Sequence, residues 1–132
     1  MYKVISISDD EMTRSVKLEN TTTGTIDDCF DDSALVSDKN FDFLMLKNTY
    51  NCKIKLFGNV VQEMQDATVL CKIICKNTVV GTKNMVQVLV ENDEYYIPIK
   101  KVTHISDIDY FYFKYTRKDL IQVNEVIHGD FL

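Results

Sequence analysis

The sequence predicts a mainly β protein: one domain, an antiparallel barrel or sandwich with little helix. Two observations carry that expectation. About eight or nine short runs alternate apolar and polar residues with the period of two of a half-buried strand. Between them Gly, Asn and Asp recur at fairly regular spacing, as turns do in barrels and sandwiches. A chain of 132 residues that is 45% apolar and 27% charged, with four Gly, one Pro and no low-complexity run, is long enough to bury its own core, so residues 1-132 are read as a single globular domain.

Along the chain, YKVISIS alternates Tyr2, Val4 and Ser6 with Lys3, Ile5 and Ile7. TRSVKLEN sets Val16 and Leu18 on one face against Ser15 and Lys17 on the other, and both runs read as strands. TTTGTIDDCF follows as the third strand of a meander, with Gly24 as its turn or bulge residue. DDSALV predicts a short helical turn capped by Asp31, Asp32 or Ser33. FDFLMLKN then leads into TYNCKIKLFG, the clearest strand, in which Tyr50, Cys52, Ile54 and Leu56 alternate with Asn51, Lys53, Lys55 and Phe57 until Gly58 ends the run.

ATVLCKIICKN fits a helix by spacing, since Ala67, Leu70, Cys71, Ile74 and Cys75 would share a face. Its Val69, Ile73 and Ile74 are β-branched and favour the strand that we expect. NMVQVLVEN, an Asn92-Asp93 turn and EYYIPIKK form a hairpin whose Pro98 belongs at an edge or bulge. DYFYFKY and DLIQVNEVI complete the set. The strand-turn-strand order of the first 58 residues would suit a small OB-like barrel with additions.

Charge is unevenly placed. Residues 1 to 46 carry ten acids against four bases, a net of −6, whereas residues 47 to 132 carry eleven bases against ten acids, and the whole chain stands at −5. Residues 67 to 90 contain Lys72, Lys76 and Lys83 and no acid. Such asymmetry implies a dipolar surface suited to a basic partner on its acidic side.

The start, MYKVISISDDEM, lacks the basic and apolar segments of a signal peptide, and no run approaches the ~18 apolar residues of a membrane span. A cytoplasmic protein with no membrane partner is therefore expected, and Cys29, Cys52, Cys71 and Cys75 are expected as free thiols filling core space. There is no CxxC, and on a strand Cys71 and Cys75 would stand about 13 Å apart, too far for a disulfide or shared zinc.

Several chemistries lack their motifs. GxSxG, HExxH, GxxxxGK[ST] and GxGxxG are all missing, and GTKN at Gly81 to Asn84 reads as a turn. An EF-hand loop starting at Asp27 would need an oxygen ligand where Cys29 stands and a glycine where Asp32 stands. His104 and His128 read as surface or strand-end residues. No catalytic residue, metal ligand or cofactor is therefore assigned.

Two stretches remain as candidate binding residues. In IDDCFDDS, alternation places Ile26, Asp28 and Phe30 on one face and Asp27, Cys29 and Asp31 on the other, with Asp32 following, and the expectation is a solvated acidic loop. In DYFYFKYTRK, Phe111, Phe113 and Tyr115 share one face and Tyr110, Tyr112 and Lys114 the other, with Arg117 and Lys118 beyond. If the phenylalanines face the core, a tyrosine-lysine stripe is left exposed.

The function expected first is a non-catalytic protein-binding module, an intracellular inhibitor such as the immunity partner of a basic toxin or nuclease. It would act through Asp27, Asp28, Asp31 and Asp32 and through Tyr110, Tyr112, Lys114 and Arg117. One alternative is an OB-like single-stranded nucleic-acid binder using that stripe, with charge added by Lys100, Lys101 and the acid-free stretch 67–90, which a sequence pI near 4.9 disfavours unless the charges are strongly segregated. Another is an enzyme with an aspartate-based site.

Overall fold

The structure, a computed structural model, describes residues 1–103 and 109–132; His104 lies outside the described residues. Its strands are β1 (Tyr2–Asp10), β2 (Thr13–Asn20), β3 (Ile26–Asp31), β4 (Thr49–Tyr50), β5 (Cys52–Val61), β6 (Thr68–Val80), β7 (Lys83–Val90), β8 (Asp93–Pro98), β9 (Tyr110–Val123) and β10 (Val126–Ile127). Among the described residues helix is confined to α1 (Ser33–Val36) and two single 3-10 turns, Ile99–Lys101 and Gly129–Phe131.

Strands β5 to β9 close into a barrel. β9 pairs antiparallel with both β5 and β6, β7 joins β6 to β8, and β8 closes on β5 through a short parallel contact at Lys55 and Tyr96. The barrel is therefore built from strands within residues 52–123, and of the first 58 residues, whose strand order suits such a barrel, only the start of β5 belongs to it. The reason is the length of β9. Fourteen residues let its first half pair with β6 while its second half takes β3 in parallel register, Cys29 opposite Lys118 and Phe30 opposite Asp119. The meander β1-β2-β3, with β4 on the far edge of β1, extends the sheet outward from there.

One core serves both parts. Val4, Val16, Leu18 and Cys29 of the meander pack in the same cluster as Ile54, Leu56, Val88, Ile97, Phe113 and Leu120 of the barrel. A second, smaller cluster joins Val80, Met85, Tyr96 and Ile121 to Phe131, so the C-terminal turn covers that part of the barrel wall. No helix among the described residues is long and apolar enough to cross a membrane.

Local departures from the expected pattern have identifiable causes. β1 bulges between Val4 and Ser6, which turns Ile5 out to solvent instead of pairing its direction with Ile7. Gly58 does not end its strand. It sits at a bulge where β5 crosses β9 so closely that a Cβ would lie 2.0 Å from the Lys114 carbonyl oxygen. The hairpin turn falls on Glu91-Asn92, one residue earlier than expected, with Glu91 at φ 55°. Asp93 instead opens β8, buried, and its carboxylate accepts the Thr23 and Thr25 hydroxyls at 2.6 and 2.7 Å. Residues 68–80 are strand, as their β-branched content predicts, and all four cysteines are free thiols.

Candidate functional site

The aspartate run alternates as expected, but the acidic loop does not stay in solvent. Asp27 is 1% exposed and accepts hydrogen bonds from the Tyr95 hydroxyl at 2.8–2.9 Å and from Lys118 Nζ at 2.5 Å. The Lys118 ammonium also lies over the Tyr95 and Tyr115 rings. Burial, with the Asp27 carboxylate adding to it, pushes the Tyr95 hydroxyl far above its ordinary pKa, so it stays a donor.

Asp31 is 3% exposed, accepts from Arg14 Nε at 2.8 Å and caps the Ser33 amide at 2.9 Å. That bond starts α1, with Asp31 and not the side chain of Asp32 as the cap. Asp27 and Asp31 are thus corrected from candidate surface residues to internal ties, buried because cations from β2 and β9 meet them there. Asp28 is exposed and accepts from the Ser15 hydroxyl, while Asp32 is half-buried.

His128 stands at a strand end, directly after β10, but not at the surface: it is buried between the Phe41 and Phe131 rings. Its Nδ1 accepts the Asp130 amide at 3.1 Å, which makes Nε2 the donor to Asp32 Oδ1 at 2.6 Å. Donor atoms of Asp32, His128 and Asp130 all lie within 4.8 Å of one another. The two carboxylates meet opposite nitrogens of the ring, however, so the trio fastens the C-terminal turn to the start of α1 and does not converge on one cation.

The second candidate stretch lies along β9 as predicted. Phe111 and Phe113 face the core, and Tyr110, Tyr112 and Lys114 face outward. Cross-strand register fixes their neighbours: on β6, Lys72 stands beside Tyr110, Leu70 beside Tyr112 and Thr68 beside Lys114. On β5, Val61 flanks Tyr112, Asn59 flanks Lys114 and Phe57 flanks Arg117. Tyr110 is 51% exposed and Phe57 44% exposed. The Arg117 guanidinium sits 4.4 Å from the Phe30 ring centroid and 4.6 Å from that of Phe57, held by Asp119 at 2.5 Å.

No protein-family model, curated protein or solved structure matches the chain.

At Phe57 the face dips into a cleft of about 610 Å³, lined also by Lys55, Lys83, Lys100, Lys101 and Asp130, among others. Lys55 is half-buried. Its pKa is lowered by desolvation, and Arg117, Lys100 and Lys101 push it the same way against the pull of Asp119. Cations crowded around a partly desolvated ammonium raise the free energy of the cleft, a cost that an anion would relieve. Carboxylates gather elsewhere: Asp9, Asp10, Glu11, Asp31 and Asp42 line a separate depression around Arg14.

The β9 stripe, the Lys100-Lys101 pair and the acid-free stretch that holds Lys83 are visible in the sequence, whereas the place of Lys55 and Phe57 on the same face is not. Lys55 and Phe57 were legible only as the outer side of a strand, and Lys83 only as part of an acid-free stretch. Barrel closure brings them together.

Proposed function

We propose that the protein is a non-catalytic binding module that holds single-stranded nucleic acid on the outer face of β5, β9 and β6. The observation that carries this reading is Arg117, lying over Phe30 and over Phe57, the ring that lines a four-lysine cleft, in a chain of net charge −5. Unpaired bases stack on exposed aromatic rings and on guanidinium planes, and lysines follow the phosphates. Tyr110, Tyr112 and Phe57 supply rings on one face, and Lys72, Lys114, Lys100 and Lys101 supply charge along it. The acidic total argues against nucleic acid only if acids and bases are mixed, and the carboxylate-lined depression and the lysine cleft share no residue.

The test is fluorescence anisotropy with labelled oligothymidylate and oligouridylate of roughly 16 nucleotides, at ~50 mM salt. Binding is expected, and Tyr112→Ala or Arg117→Ala should each weaken it by about 10-fold, as loss of one stacking contact does. No binding of either oligonucleotide at that salt removes the proposal.

A protein inhibitor that offers its acidic side to a basic partner is a second reading, supported by the depression around Arg14. Of the four candidate aspartates it retains only Asp28 and Asp32 at or near the surface. Capture of a stoichiometric protein partner that survives nuclease treatment would favour it over the first.

A further inference from the structure

The outward row of β5 runs Val61, Asn59, Phe57, Lys55 and then reaches Lys53, whose ammonium lies 5.6 Å from the centroid of the Tyr96 ring. Tyr96 is 8% exposed because it belongs to the cluster covered by Phe131 of the C-terminal turn. The turn is firmly seated there. The Thr82 amide donates to the Phe131 carbonyl at 2.6 Å, and Gly81 approaches so closely that a Cβ would lie 1.9 Å from that same oxygen. His128 anchors the other end of the turn through Asp32. A chain laid along the aromatic row therefore meets protein just past Lys55, at the place where the lysine cleft opens.

Charge points to the same conclusion. An internal phosphodiester carries one negative charge, whereas a terminal phosphomonoester carries about −1.5 to −2 at neutral pH and offers three acceptor oxygens. Lys55, Lys83, Lys100 and Lys101 line the cleft, and Asp130 is the one carboxylate among the described lining residues. Four ammonium groups exceed what a single diester needs and suit a dianion. The cleft volume, about 610 Å³, lies within the range of sites for small ligands and leaves room for the terminal nucleotide.

We propose that this cleft is an end-binding site that takes the terminal phosphate of a single strand, with the last base against Phe57. The proposal rests on the nucleic-acid reading above and adds to it a preference for phosphorylated ends. Lys100 and Lys101 follow Pro98 in the 3-10 turn at the end of β8, and Lys101 Nζ already reaches Asn59 Oδ1 at 2.9 Å on the row itself, so these two residues link cleft and row.

The experiment compares one oligonucleotide sequence carrying a 5′-phosphate, a 3′-phosphate or neither, each titrated into the intact protein. The same three titrations are run with the Lys100→Ala/Lys101→Ala double variant and with Lys72→Ala, a lysine outside the cleft. One phosphorylated form should bind about 10-fold or more tightly than the unphosphorylated one. That gain should vanish in the double variant and persist in Lys72→Ala, with a free nucleoside monophosphate competing for the phosphorylated oligonucleotide. Equal affinity for all three ends, or a gain that survives the double variant, overturns the end-binding proposal while leaving the nucleic-acid reading standing. Absence of binding by every oligonucleotide overturns both.

Discussion

Asp27 and Asp28 are neighbours with the same side chain and opposite circumstances. Asp27 faces the core, tied to Lys118 and Tyr95, and Asp28 faces water. Alternation along β3 was legible in the sequence; which face was buried was not, because two aspartates stood on the inward face and one on the outward. Their cations, Arg14 and Lys118, come from positions 17 and 91 residues away, and only the folded chain brings them in. Truncating one member of a buried pair strands the other charge, so Asp27→Ala should cost about 3–5 kcal/mol of unfolding free energy. Asp28→Ala should change it by less than about 0.5 kcal/mol. Urea denaturation of the two variants checks this, and similar losses in both would contradict the assignment.

The thiols give a residue-scale pH dependence. Burial pushes Cys52 and Cys71 up from 9.0 to about 12. Between those values the unfolded chain gives up protons that the folded chain keeps, so stability present below pH 9.0 is lost as pH rises toward about 12. The urea midpoint should therefore fall between neutral pH and about pH 10.5, and less steeply in the Cys52→Ala/Cys71→Ala variant. A midpoint that does not move would contradict the burial described for these thiols.

At the scale of elements, β-branched content settles the ambiguous stretch 67–77: residues 68–77 lie in β6 although their spacing also fits a helix. Turn positions were read to within a residue, because Gly24 and Gly81 mark left-handed backbone while Glu91, also at positive φ, carries no such signal. Gly58 was misread as a strand end, since a close crossing of two strands has the same one-letter signature as a stop. The difference is testable. Gly58→Ala must displace the Lys114 backbone and should cost about 1–3 kcal/mol or more, as overpacking does. Gly24→Ala has open space around its Cβ and should lose only the about 1–2 kcal/mol of its left-handed conformation. Thermal melts that rank Gly24→Ala as the more damaging change would contradict the crossing.

For the whole molecule, the fold class was legible and the closure was not. Strand periodicity gives the number and faces of strands, but β9 pairing with β6, β5 and β3 at once depends on its length and on long-range register. The binding face inherits that dependence. Tyr110, Tyr112, Lys114 and Arg117 are neighbours in sequence, and Lys100 and Lys101 are legible as a basic pair; Lys55 and Phe57 join them only when the barrel closes. Net charge, a property of composition, conceals the separation of a lysine-lined cleft from a carboxylate-lined depression.

That separation is the basis of the functional account, and the salt dependence of single-strand binding tests it most directly. Four phosphates neutralised on this face should give log K a slope of about −3 against log salt, with Lys100→Ala/Lys101→Ala reducing its magnitude by about 1.4. Binding with no dependence on salt, or no binding at all at low salt, would contradict the account.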